Sequence, residues 1–196
     1  MPPRRERRPA FGVQRTEARR ALPRFHQPQR GPDALCLTLV QLTDEQCRVR
    51  FAGARVARLA TVAGDGSPRL VPITFVVAGA LAAGDIAGTK EAVAGDVVFS
   101  AVDHKPKSTT ALARLRRIEH EPRVSLLADD YSEDWTRLWW VRADAHAEVL
   151  TTGPDRKSGA SLLEEKYEQY RSQPPQHAVI RFVVDRWSGW AAGNAV

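Results

Sequence analysis

The chain has 196 residues, 43% of them hydrophobic and 27% charged, and a formal net charge of +6. This suits one domain with a tail and is too apolar for a fully disordered protein. No run of 18 apolar residues occurs, so no transmembrane helix is expected; two cysteines, Cys36 and Cys47, cannot build a disulfide framework, and the cytoplasm is the expected compartment.

The positive charge is concentrated at one end. Residues 1–34 hold nine arginines against Glu6, Glu17 and Asp33, while residues 35–196 hold 20 basic and 20 acidic side chains. The body therefore has no net field to draw in nucleic acid, and action on nucleic acid or membrane through the basic arm is disfavoured. The same stretch carries six prolines and little apolar periodicity. Residues 1–38 are accordingly expected to be a disordered Arg/Pro-rich extension ahead of a domain spanning 39–196. No signal-peptide core follows the arginines. Val40 directly precedes a good helix start, and valine-coded starts are common in GC-rich genomes, so an alternative is that translation begins there.

Along the domain, Thr43 is placed to cap a helix running through Ala54, with Asp44 and Glu45 in its first turn. Val56–Ala63 alternates as a strand. Gly64–Pro68 is a turn, and Arg69–Val77 is a second strand that closes a hairpin. Pro72 removes a ladder donor, which implies an edge position, a bulge or a bend there. Residues 78–95, rich in Ala and Gly, are expected to form a long hairpin loop. Asp96–Val102 is a third strand. Ser108–His120 is an amphipathic helix with Leu112, Leu115 and Ile118 inward. Arg123–Ala128 is a fourth strand, Asp129–Trp135 an acidic loop and Arg137–Leu150 a long fifth strand. Ser158–Ser172 is a helix with Leu163, Tyr167 and Tyr170 on one face. His177–Asp185, running on to Trp190, is the sixth strand. The pattern predicts a mainly β, α+β fold: a six-stranded barrel with flanking helices.

Several chemistries lack their motifs. There is no Cys-x-x-Cys, His-Glu-x-x-His, Gly-x-Gly-x-x-Gly, Walker or Gly-x-Ser-x-Gly pattern. The five histidines are scattered, so no metal is expected, and each reads as a surface or satisfied side chain. Asp129, Asp130, Glu133 and Asp134 read as a solvated loop ahead of acid–base machinery.

Two features remain. Lys105 and Lys107 bracket Pro106 and precede Ser108-Thr109-Thr110 at a helix start, with Arg114 further along the helix. Free N–H groups, hydroxyls and two ammonium groups could cradle a phosphate; an exposed lysine-rich loop is the alternative. Trp139 and Trp140 are adjacent on a strand and must point to opposite faces, one inward and one toward an interface or a ring-binding groove. Trp187 and Trp190 flank Ser188-Gly189, an arrangement suited to core packing, a flat ligand or a dimer seam.

The segments ARVARLATV (54–62), GSPRLVPITF (66–75), AVDHKPKSTTALARLRRI (101–118), EPRVSLLADDYSEDWTRLWWVRADAHA (121–147) and VVDRWSGWAA (183–192) occur in one order. Together they resemble the flavin/deazaflavin oxidoreductases of the pyridoxamine 5′-phosphate oxidase-like superfamily, and within it the actinobacterial branch of F420-dependent enzymes of the PPOX class. The resemblance implies an FMN-binding-type split β-barrel, working as a homodimer with a cofactor in each interface cleft. It implies that Arg69, Leu70, Val71, Pro72 and Ile73 run along the cofactor ring, and that Lys105, Lys107, Ser108 and Thr109, with Arg114 near, hold its phosphate. Trp187 and Trp190 would close the site. The implied activity is hydride transfer between reduced coenzyme F420 and an unsaturated small-molecule substrate, with no side chain singled out as catalytic. The alternatives are an FMN-dependent enzyme of the same fold, or a non-catalytic protein that binds F420, haem or another tetrapyrrole.

Overall fold

The computed structural model describes residues 39–78, 96–102 and 110–193, the backbone alone at 39 and 110–112. These residues belong to one unit spanning 36–196. The expected extension, the loop at 79–95 and the lysine loop at 103–109 lie outside the described residues.

Local chemistry starts the domain as expected. Thr43 caps α1 (Asp44–Gly53) in a reciprocal box: its Oγ1 accepts from the Gln46 N–H at 3.3 Å and its own N–H donates to Gln46 Oε1 at 2.9 Å. Cys47 and Phe51, one turn apart, are fully buried. Cys47 is a packing residue of the core, and burial and the neighbouring Asp44 push its thiol above its ordinary pKa.

Among the described residues eight strands form one antiparallel sheet: β1 (Leu39–Gln41), β2 (Ala57–Val62), β3 (Pro68–Ile73), β4 (Val76–Val77), β5 (Val97–Ala101), β6 (Arg123–Asp130), β7 (Trp139–Leu150) and β8 (Val179–Ala192). The order is β3-β2-β6-β7-β8-β5-β4, with β1 joining β8. β8 is long enough to hold β7 along one side while its first half pairs with β5 and its end with β1. The helix α2 (Thr110–His120) buries Ile118 and rests Leu115 on the core. The α+β split barrel is thus as expected, and Pro72 does sit on an edge strand, where its missing N–H is harmless.

Several elements differ from expectation. The barrel has eight strands where six were expected, because β1 is too short to show a period and because the second strand breaks. At that break the Phe75 N–H leaves the ladder and donates to the Tyr167 hydroxyl at 3.0 Å, so β4 pairs with β5 and not with β2. The acidic loop begins only at Tyr131: Asp129 and Asp130 extend β6 opposite Trp140 and Trp139. The last helix starts earlier, at Pro154, and breaks at Tyr167, giving α3 (Pro154–Lys166) and α4 (Glu168–Ser172).

The main core lies between α1, α2 and strands β2, β6, β7 and β8. A second cluster packs Leu163, Tyr167 and Tyr170 of the α3–α4 region against Val76, Phe99 and Val179. Gly189 has a packing role that its aromatic neighbours disguised. A Cβ there would stand 2.7 Å from the Trp140 carbonyl oxygen and 3.2 Å from Cys47 Sγ. The Gly189→Ala variant is expected to lose about 1–3 kcal/mol of stability through overpacking, measured by urea unfolding.

Candidate functional site

Strand alternation decides what the outer face of the sheet presents. On β2, Ala57, Leu59 and Thr61 are buried, so Arg58 and Ala60 point outward. On β6 the outward residues are Ser125, Leu127 and Asp129; on β7 they are Trp140, Arg142, Asp144 and His146. β3 adds Leu70, which pairs with Ala60.

These side chains line a groove with two lobes that share Ala60 and Ser125. The aromatic lobe, about 570 Å³, is walled by Leu70, Leu127, Tyr131 and Trp140, with Arg58, Asp129 and Arg142 at its edges. Its size and its apolar walls with a few polar groups suit an organic ligand. The second lobe, about 330 Å³, is also mostly apolar at its surface, with Val62, Val124 and Ala145 in its wall; the charged and polar groups Arg123, Asp144, His146 and Asp185 on its lining distinguish it as the polar lobe.

The charges on this face are matched across strands. Arg58 pairs with Asp129. Asp144 accepts from Ser125 Oγ at 2.8 Å and from Arg186 at 2.8 Å, and Arg142 Nε lies 3.0 Å away. Burial works against the Asp144 carboxylate, but these partners win and hold its pKa below the ordinary range. His146 Nδ1 meets Asp185 Oδ2 at 2.7 Å. Asp185 is the residue that β8 inserts where the β7–β8 register shifts, between the pairs Asp144–Arg186 and Ala145–Val184. Among the described residues no group of three or more His, Cys, Asp or Glu is arranged to hold a metal ion.

The expected ring strand divides between two faces. Leu70 lines the groove and Pro72 shares its face, whereas Arg69, Val71 and Ile73 share the opposite face with Thr61, Leu59 and Ala57; Ile73 is buried. Trp139 and Trp140 do separate: Trp139 packs on the core and Trp140 walls the groove. Trp190 is the direct cross-strand partner of Trp140. Trp187 stands apart. Its ring is buried edge-on to Phe51 at 5.2 Å, and its Nε1 donates to Asp96 at 2.6 Å, so within its own chain it is a core residue. Arg114 lies half-buried on α2, while Lys105, Lys107, Ser108 and Thr109 lie outside the described residues. Arg117, on the same helix, donates from Nε to the Thr61 hydroxyl at 3.1 Å.

Sequence reasoning missed Tyr131, Arg142, His146 and Asp185. Alternation along Arg137–Leu150 could have put Trp140, Arg142, Asp144 and His146 on one face. Nothing local announces Asp185, because its position depends on the bulge.

A split barrel with such a groove on its outer face is a fold of the flavin-binding, oxidoreductase type. The chain belongs to the pyridoxamine 5′-phosphate oxidase family, which it matches over residues 43–191. Among solved structures it is similar to an FAD-binding protein from Mesorhizobium loti (20% identity, TM-score 0.54, covering 81% of this chain and 99% of that one). It is also similar to a conserved hypothetical protein from Mycobacterium tuberculosis (16% identity, TM-score 0.56, 76% and 85% covered). A third similar structure is a conserved protein of unknown function from Corynebacterium diphtheriae (15% identity, TM-score 0.51, 79% and 98% covered). At these identities the likeness is one of fold. No curated protein is significantly similar to the chain. Among the described residues no helix is long and apolar enough to cross a membrane.

Proposed function

We propose that the protein is an oxidoreductase that uses coenzyme F420 to transfer a hydride to an unsaturated small organic substrate, and that it works as a homodimer. The observation that carries this reading is the aromatic lobe on the outward side of the strand expected to carry the cofactor ring. Leu70, Leu127, Tyr131 and Trp140 offer a flat tricyclic ring its apolar walls, and Arg58, Asp129 and Arg142 offer donors and an acceptor at its edge. Lys105, Lys107, Ser108 and Thr109, with Arg114, would hold the phosphate. When bound in its reduced form, a deazaflavin supplies a hydride and reacts poorly with oxygen. The chain itself would orient the ring and the substrate and exclude water from the groove.

Exposed apolar side chains beside the groove support a second copy as its cover. Leu70 is 65% exposed, Tyr131 64% and Trp135 63%. Leu70 and Tyr131 also line the aromatic lobe, so a second copy would cover apolar surface at the groove itself.

The second reading is a flavin, FMN or FAD, in the same lobe. It is favoured by the FAD-binding description of the similar Mesorhizobium loti protein. Parallel titrations with oxidised F420 and with FMN, read by tryptophan quenching, separate the two readings, since Trp140 walls the lobe. Micromolar F420 binding with much weaker FMN binding is expected. Preference for FMN would move the protein to the flavin reading, and binding of neither would remove the oxidoreductase reading. The double variant Lys105→Ala/Lys107→Ala is expected to weaken cofactor binding by about 1–3 kcal/mol, the usual worth of charge-assisted hydrogen bonds, in the same titration.

A further inference from the structure

We propose that His146 is the proton donor to the substrate, positioned by Asp185, and that the polar lobe receives the substrate's carbonyl or phenolic oxygen; the proposal rests on the oxidoreductase reading above. A reduction that adds a hydride to one end of a double bond needs one proton at the other end. The polar lobe and the aromatic lobe share Ala60 and Ser125 in their linings, so the two are neighbours on the sheet face and a substrate in one would lie beside a ring in the other.

The other ionisable groups around this lobe are committed elsewhere. Asp144 is held as a carboxylate by Arg186, Ser125 and Arg142. Arg123, the cross-strand partner of His146, is engaged by both oxygens of Glu121. That contact lowers the Glu121 pKa to about 2, so this carboxyl carries no proton at neutral pH. An imidazole is a common general acid, and His146 is the imidazole that lines the groove among the described residues.

Its setting is built. Asp185 occupies Nδ1 at 2.7 Å, which leaves Nε2 to meet a bound molecule. Asp185 reaches that position because β8 spends an extra residue there, and a bulge is a common way of re-aiming a side chain beside a functional site. In the step, the imidazolium Nε2–H bond breaks and its electron pair stays on nitrogen. The proton forms a new bond at the substrate oxygen or at the atom conjugated to it. The two electrons come from the reduced deazaflavin or flavin, and water returns a proton to His146.

The test has a binding readout and a turnover readout. In the full-length protein without cofactor, 4-nitrophenol should bind as its yellow phenolate beside His146, and His146→Gln should weaken that binding at least tenfold. In the cofactor-loaded protein, His146→Ala should lower reduction of cyclohex-2-enone by about 100-fold or more. Added imidazole should restore the activity, and cofactor affinity by tryptophan quenching should be unchanged. Asp185→Asn should lower kcat in the wild-type background and have no effect in His146→Ala, because Asp185 acts through His146. Equal phenolate binding by wild type and His146→Gln would overturn the proposal. So would a failure of imidazole to rescue, or loaded wild-type protein that reduces no enone. Failure of the wild type to bind either cofactor would overturn the oxidoreductase reading itself, and the quenching titration reports that separately.

Discussion

Phe51→Ala is expected to lower the stability of the domain by about 3–5 kcal/mol, the usual cost of deleting a fully buried aromatic ring. Phe51 is 0% exposed and packs α1 into the main core. Its ring lies 4.6 Å from that of Phe75 and 5.2 Å from that of Trp187. These centroid separations are those of favourable tilted and edge-to-face pairs. Truncation therefore removes the hydrophobic contribution of the ring and both aromatic contacts, and leaves a cavity between a helix and a sheet. Chemical unfolding should show a lower midpoint with an unchanged slope. A loss below about 1 kcal/mol would mean that α1 can collapse into the gap, which is the relaxation on which cavity costs depend.

Asp96→Ala is expected to lose about 1–4 kcal/mol at neutral pH, and the difference from wild type should shrink in acid. The Asp96 carboxylate accepts from the buried indole of Trp187 at 2.6 Å and from Arg48 Nε at 2.8 Å. Alanine would strand the Trp187 N–H, worth about 1–3 kcal/mol, and remove a half-buried ion pair worth up to about 1 kcal/mol. Burial raises the Asp96 pKa, but the hydrogen bonds from Arg48 and Trp187 outweigh it and hold the carboxyl below its ordinary value. A group depressed in the folded state contributes stability above its unfolded pKa, about 4 for Asp, and loses it as pH falls through the folded value. Urea unfolding of both proteins from pH 7 down to pH 3 checks this. A constant difference across that range would show that the carboxylate charge contributes nothing and that only the lost packing matters.

Both variants act where helix α1 and Asp96, the residue just before β5, converge on Trp187, and this residue shows how sequence and structure divide the information. In the sequence, Trp187, Gly189 and Trp190 form a motif that suits core packing, a flat ligand or a dimer seam alike. In the fold Trp187 is a core residue, Gly189 makes room for the Trp140 carbonyl and Cys47, and only Trp190 faces outward beside Trp140. The opposite happened with His146. It read as one of five scattered histidines, and the pairing of β7 with β8 set it against Asp185 on the wall of a groove.

Wherever a physical rule reaches only a few residues along the chain, the amino-acid sequence by itself determined the result. The cap at Thr43, the hairpin across the turn Gly64–Pro68, the opposed faces of Trp139 and Trp140 and the inward placement of Leu115 and Ile118 on α2 all rest on periods of two or 3.6 residues and on side chains that bond to near neighbours. Tertiary structure alone decided the break between β3 and β4, which needs a tyrosine hydroxyl from 92 residues away. It also decided the bulge at Asp185 and the assembly of one groove from β2, β3, β6 and β7. These features depend on which strands meet and in which register. A one-residue slip would turn every groove residue of a strand to the other face, and that register is set by the packed core as a whole.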